Sequence, residues 1–185
     1  MSNFVFIIIS GPPCSGKTTL SQKLVEEFRL PLISKDGIKE TLFDSIGWKD
    51  REWSKSLGFA SYQILFYFAE AMLQAQTSFI LEANLLTQFH TPKILALKDK
   101  YNFQPFQIQC ITDGEVLFER FKQRAESGNR HPGHGEHLQY EEARPVLLKG
   151  RYEYLEIGGP LIEVDTTDFA KIDYPGLFSS LKTFL

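Results

Sequence analysis

Apolar residues return along this chain in two alternating rhythms. Phe4-Val5-Phe6-Ile7-Ile8-Ile9 is an unbroken aromatic and β-branched run, as in a strand buried on both faces; Leu20, Leu24 and Phe28 then recur at every fourth position, like the stripe of a helix. A short strand is expected at Leu30 to Ser34 and a helix from Lys35 to about Phe43. Ile46 to Ser54, with Gly47, Trp48 and Trp53, reads as a loop. Tyr62, Leu65, Phe66, Ala69, Met72 and Leu73 keep helical spacing inside a long helix expected from Lys55 to Gln76. Ser78 to Ala83 is a third strand, Thr91 to Asp99 a helix opened by Pro92, and Phe106 to Ile111 a fourth strand. Gly114 to Ala125 is helical, Leu161 to Asp165 forms a fifth strand, and a short helix closes the chain. Strands alternating with helices predict an α/β fold with a parallel sheet covered on both faces. Residues 1–185 read as one domain without internal repeats.

In such sheets ligands bind beyond the carboxyl ends of the strands. The first strand runs directly into Gly11-Pro12-Pro13-Cys14-Ser15-Gly16-Lys17-Thr18, a complete G-x-x-x-x-G-K-[ST] loop followed by a helix. Gly11 and Gly16 permit backbone angles that a Cβ obstructs, so amides from about Cys14 through Ser15 to Thr19 can converge on phosphate oxygens, aided by the helix dipole. Lys17 can reach the β and γ phosphates of ATP, and the Thr18 hydroxyl is placed to ligate Mg²⁺.

The net charge of −3 and a pI near 5.8 argue against a general nucleic-acid or membrane-surface binder. Two cysteines, Cys14 and Cys110, form no zinc spacing or disulfide framework, which suits a reducing cytoplasm. The N-terminal apolar run is too short for a membrane span.

Phosphoryl transfer demands positioning and charge neutralisation. Strand-end acids are therefore informative: Asp36, Glu82, Asp113 and Asp165. Asp36 faces the phosphate-loop rim and either accepts the proton of an attacking hydroxyl or caps the helix that follows. Lys39, on the same helical face, can steady Asp36 or an anionic substrate group, or simply face solvent. Glu82 can hold Mg²⁺ through water or bind substrate together with Asn84; the alternative is an acid solvating a turn. Arg120 and Arg124 are spaced i, i+4, and Arg130 follows in Ser127-Gly128-Asn129-Arg130, as in a closing lid whose arginines bridge phosphate oxygens. His131, His134 and His137 lack the spacing of a preformed metal site and read as a solvated, flexible loop. Cys14, beside Lys17, is either a small filler or a thiol with lowered pKa that ATP shields from alkylation.

With these motifs in hand, the chain resembles the small P-loop kinases that include the kinase domain of phage polynucleotide kinase, chloramphenicol phosphotransferase and the zeta toxins. The phosphate loop is shared widely; more specific is a strand leading into Ser34-Lys35-Asp36-Gly37-Ile38-Lys39. The resemblance implies a three-layer αβα P-loop NTPase fold with sheet order 2-3-1-4-5 and a lid at about 124–140. It further implies Asp36 as acceptor-side base, lid arginines matched by Arg120, Arg124 and Arg130, and an Asp165-Thr166-Thr167 stretch near the adenine. Lys39 stands where polynucleotide kinases have arginine, and Glu82 where many relatives have Asp.

The expected function is ATP-dependent transfer of the γ-phosphate to a hydroxyl of a small molecule, such as a nucleoside, sugar, antibiotic or similar metabolite. Alternatives are a polynucleotide 5′-hydroxyl kinase and a non-catalytic ATP-binding or toxin-type module. A GTPase reading fails: Asn-Lys-x-Asp is missing, and the D-x-x-G matches at Asp44 and Asp173 follow no expected strand. A ring-forming AAA motor needs a helical second domain, for which the chain has no room.

Overall fold

A run without a polar side chain from Val5 to Ile9 can only lie inside, and it forms β1 (Val5–Ser10), buried along its whole length. The structure, a computed structural model, describes residues 4–185. Around β1 stand β2 (Leu32–Ser34), β3 (Phe79–Glu82), β4 (Gln104–Ile111) and β5 (Leu161–Asp165), all parallel. Their order is β2-β3-β1-β4-β5, as the resemblance implies.

The pleat sends alternate residues of β1 to two cores. Phe6 and Ile8, with Phe79 and Leu81 of β3, meet Leu65, Phe66, Ala69 and Leu73 of α3 (Arg51–Gln74) and Ile94 and Leu97 of α4 (Thr87–Tyr101). Val5, Ile7 and Ile9, with Phe106 and Ile108 of β4, meet Leu20 and Leu24 of α1 (Lys17–Phe28) on the other face. Leu177 and Leu181 of the closing helix (Tyr174–Lys182) complete that layer. Helices on both faces follow from both faces being apolar.

Some boundaries differ from expectation. The expected loop at 46–54 shrinks, because the Asp50 side chain accepts the Trp53 N–H at 2.8 Å and starts α3 at Arg51. Pro92 does not open α4: the helix begins at Thr87, and Pro92 sits in its second turn at the loss of one intrahelical bond. A helix missed in the sequence, Tyr140–Leu147, packs Leu147 against Leu117 and Phe121 of α5 (Gly114–Glu126). Numbered in chain order it is α6, and the closing helix α7.

The segment between α5 and α6 departs from the solvated, flexible loop expected for its histidines. Two 3₁₀ turns, Pro132–His134 and Glu136–Leu138, dock it onto α2 (Lys35–Ile46). His131 stacks on Phe43 with centroids 4.9 Å apart, and a Cβ on Gly133 would stand 2.8 Å from the same ring. His134 is buried and its Nε2 lies 2.9 Å from Glu40. Only His137 remains exposed. Among the described residues no helix is long and apolar enough to cross a membrane.

Candidate functional site

The parallel register brings the ends of β1, β2 and β3 to one rim, with Ile9 and Ser34 both opposite Glu82. A cavity of 460 Å³ opens there, lined from one side by the phosphate loop and α1, from another by α2 and α3, and covered by α5 and the docked segment.

The loop has the backbone that its glycines predict. Gly11 has φ +148°, and a Cβ there would meet the Cys110 carbonyl at 2.6 Å; Gly16 has φ +77°. Cys14 between them also takes a left-handed φ of 65°, which favours glycine and costs about 1–3 kcal/mol unless the surroundings enforce it. The Ser15 N–H is spent inside the loop, on the Pro12 carbonyl at 3.3 Å. The N–H groups of Lys17, Thr18 and Thr19 precede the first helical bond, from Leu20 to Gly16, and so lack intrahelical acceptors. They and the helix dipole make an anion cradle. The Lys17 ammonium donates to the Pro12 carbonyl at 2.7 Å; burial lowers its pKa against the pull of Glu82. The Ser15 side chain does not line the cavity: its buried Oγ has no partner among the described residues and lies against Gly11.

Cys14 lines the cavity, but its thiol is not activated. Burial raises its pKa more than Arg124 and Lys17 lower it. Proximity to cations alone suggested the opposite, and desolvation wins.

Beside the cradle, the Thr18 hydroxyl lies 3.5 Å from the Glu82 carboxylate, which also accepts from the Ser34 hydroxyl at 2.8 Å. Glu82 is 4 % exposed, so it is no acid solvating a turn. These hard oxygens suit Mg²⁺, which takes one or two protein ligands and keeps waters and phosphates for the rest. Among the described residues no three His, Cys, Asp or Glu side chains are grouped so as to hold a metal.

Across the cavity Asp36 occupies the first turn of α2. It is not the cap: Ser34 holds that place, with its Oγ 3.5 Å from the Gly37 N–H. The Asp36 carboxylate instead takes Lys35 at 3.0 Å and Arg130 at 2.6 Å. Burial pushes its pKa up, but Lys35 and Arg130 outweigh that and hold it well below the usual carboxylate range. Lys39 is buried beside it and donates to Ser54 at 2.9 Å. Asn84 lines the same wall, its carbonyl accepting the Tyr62 hydroxyl at 2.6 Å.

The lid arginines all reach the cavity, each already engaged. Arg124 pairs with Glu136, and Arg130 bridges Asp36, Glu40 and Glu136. Arg120 donates to the Thr166 and Thr167 carbonyls at 2.8 and 2.9 Å, and its guanidinium lies 4.1 Å from the Phe169 ring centre. Asp165 and Thr167 stand outside the cavity. Asp165 accepts the Thr167 N–H, and the Thr167 hydroxyl accepts the Asp113 N–H, so they fix the loop carrying Phe169. Sequence reasoning missed Glu136, Phe169, Lys35, Arg51 and Gln139 on the cavity wall.

Residues 6–144 match the AAA_33 family, described as an AAA domain. A candidate kinase from Chloroflexus aurantiacus j-10-fl is 39% identical, with a TM-score of 0.90 and 99% of each chain covered. A sugar kinase from Janibacter sp. HTCC2649 shares the fold at 18% identity, with a TM-score of 0.57 over 98% of this chain and 93% of its own. A chain of the Pnkp1/Rnl/Hen1 RNA repair complex does so at 15%, with a TM-score of 0.52 over 84% of this chain and 49% of its own. No curated protein sequence matches the chain significantly.

Proposed function

The chain belongs to the AAA_33 family and has a kinase-like P-loop fold; from that premise we propose that it is an ATP-dependent phosphotransferase acting on a hydroxyl of a small molecule. The observation that carries the reading is the facing arrangement in one cavity of an anion cradle at Lys17 to Thr19 and an ionised carboxylate at Asp36.

In this reading the free amides of α1 and the Lys17 ammonium bind the triphosphate of ATP. The Arg120 face, backed by Phe169, packs on the base, while Asp165 and Thr167 hold the loop that shapes that end. Asp36 orients the acceptor hydroxyl and accepts its proton. A bond forms between the acceptor oxygen and the γ-phosphorus; the bridging bond to the β-phosphate breaks, and its electron pair leaves with ADP. Arg124 and Arg130 swing from their carboxylate partners onto the transferred group, where planar guanidinium matches phosphoryl oxygens. Thr18 and Glu82 would hold Mg²⁺, which when bound neutralises phosphate charge. Lys39 and Asn84 face the acceptor.

Support for a small acceptor comes from the 460 Å³ size of the cavity and the acidic chain, and a sugar kinase of the same fold is among the similar structures. The same machinery could phosphorylate a nucleic-acid 5′-hydroxyl; a labelled oligonucleotide separates the two. The deciding experiment is transfer of label from γ-labelled ATP into a metabolite extract, with Lys17→Ala as the blank. A labelled product that needs both Lys17 and Asp36 supports the proposal. Tight ATP binding without transfer to any acceptor removes it, in favour of a binding module.

A further inference from the structure

The wall of the cavity is strongly unbalanced in charge. Seven Lys and Arg side chains line it (Lys17, Lys35, Lys39, Arg51, Arg120, Arg124 and Arg130) against three carboxylates, Asp36, Glu82 and Glu136. Lys17 and the arginines of α5 stand on the nucleotide side. On the acceptor side, Lys35 and Arg130 are matched by Asp36 and Glu40. Two further cations there are incompletely matched.

Lys39 is one. It is 6 % exposed, and among the described residues no carboxylate comes within 4.0 Å of its ammonium. Its hydrogen-bond partner is neutral, the Ser54 hydroxyl of α3, and it lies over the Phe43 ring at 5.1 Å. One turn further along α3, the missing side chain of Gly58 leaves room: a Cβ there would stand 3.7 Å from Nζ. Burial, then Lys35, Arg51 and Arg130, push the Lys39 pKa down to about 8. Arg51 is the other. It reaches Glu142 through Nη2 alone, and its Nε is buried without a partner among the described residues. A buried cation without a counter-charge, as at Lys39, is costly, and a buried guanidinium N–H without an acceptor, as at Arg51, is an unsatisfied donor on a side chain that lines the cavity.

We infer that Lys39 and Arg51 form a subsite for an anionic group on the acceptor, a carboxylate or a phosphate ester, so that the substrate is a hydroxy acid or a phosphorylated alcohol rather than a neutral polyol. The inference rests on the kinase reading and narrows its substrate class. An anion between α2 and α3 supplies Lys39 with its counter-charge and gives the Arg51 fork a planar acceptor. It also anchors the acceptor one helical turn from Asp36, which holds the hydroxyl to be phosphorylated.

The test sets matched acceptors against γ-labelled ATP: aldoses, their aldonic acids and their monophosphates, nucleosides and their monophosphates, and a 5′-hydroxyl oligonucleotide. The charged member of a pair is expected to exceed its neutral counterpart by about 100-fold in kcat/KM, about two hydrogen-bonded charges' worth of recognition; the acid and ester arms tell carboxylate from phosphate. Lys39→Met and Arg51→Met are each expected to raise the KM for that acceptor at least about tenfold, with ATP affinity unchanged and kcat less affected. Lys39→Arg should restore part of the loss. Equal use of neutral and charged members, a preference that survives Lys39→Met, or transfer to the oligonucleotide alone overturns the inference. A separate measurement covers failure of the kinase reading. Acetate and inorganic phosphate are titrated calorimetrically into the wild-type chain saturated with a non-hydrolysable ATP analogue. Saturable binding lost in Lys39→Met and Arg51→Met supports the subsite even where no acceptor is phosphorylated; no binding, or undiminished binding in both variants, sinks it. Arg51→Met, half-exposed on the first turn of α3, decides where Lys39→Met does not fold.

Discussion

Arg130 sets its Nη2 2.6 Å from the Asp36 carboxylate, joining residues 94 positions apart and closing the lid segment onto the acceptor helix. The two groups proposed to act on opposite ends of one reaction thus neutralise each other. Each is preorganised by the other, since a half-buried carboxylate or guanidinium left alone would be heavily penalised. On the proposed reading, a triphosphate would offer Arg130 a more highly charged partner and release Asp36 toward the acceptor hydroxyl.

Asp36→Asn keeps the size and hydrogen-bonding reach of the side chain but cannot take a proton. Transfer is expected to fall by about 10²–10⁴, the range for loss of a general base, with ATP affinity unchanged because the cradle lies on α1. Label transfer and calorimetry on the same variant check both halves. Near-normal turnover would exclude Asp36 as the base.

Arg130→Met should lower kcat by about 10³ or more, as for other arginines on a transferred phosphoryl group. It should also move the acid limb of the pH profile. Asp36 is held below the ordinary range by Lys35 and Arg130 against the effect of burial, so removing Arg130 raises its pKa. Activity that persists into mild acid in the wild type should then be lost at higher pH in the variant. An unmoved acid limb assigns that limb to another group.

Thr18 and Glu82 share an oxygen-rich corner, with Ser34 completing it. Thr18→Val removes one hydroxyl at little cost in shape, and its exposed position makes a folding effect small. The Mg²⁺ concentration for half-maximal activity is expected to rise at least about tenfold, the scale of losing one metal contact. The same dependence in both proteins denies Thr18 that role.

Cys14 carries a thiol whose pKa burial has raised and Cys110 one pushed up to about 12. Alkylation with iodoacetamide at neutral pH should accordingly be slow at both, slower than for a free cysteine, and should accelerate at Cys14 only above pH 9. Fast labelling at neutral pH would show a lowered pKa and reverse this assignment.

The fold was legible because its signals are local. The β1 run, the glycine-lysine loop and the stripe of α1 each lie within a few residues, and the loop fixes which strand ends matter. Asp36, Glu82 and the three arginines were found because strand ends and i, i+4 spacing point at a rim. What stayed hidden is long-range pairing. Glu136 and Glu40 decide where Arg124 and Arg130 rest, but a carboxylate in a 3₁₀ turn carries no period that ties it to an arginine on another element. Glu40 did offer a clue, four residues after Asp36 on one helix face. The histidine loop was misjudged because its glycines suggested freedom, whereas Gly133 is the small residue that lets the turn lie flat on Phe43. Phe169 had no signal beyond an aromatic in a polar loop.

Lys39 gives a prediction in which stability and activity move in opposite directions with pH. Its pKa of about 8 in the folded chain lies below the 10.5 of an ordinary lysine. Between those values the unfolded chain holds a proton that the folded chain has released, so stability relative to Lys39→Met should rise as pH climbs from 8 to 10.5. Over the same interval the ammonium needed for an anionic acceptor disappears from the free enzyme. The kcat/KM for that acceptor should therefore fall with an apparent pKa near 8, while ATP binding, which depends on the α1 cradle, does not follow that curve. The charged groups facing Lys39 are Lys35, Arg51 and Arg130, which lower its pKa, and Asp36, which raises it and is itself held ionised by Lys35 and Arg130. Denaturant unfolding and steady-state kinetics across pH 7 to 10.5, on wild type and Lys39→Met, read both effects. A basic limb that persists unchanged in the methionine variant would assign it to some other residue and leave Lys39 a structural lysine.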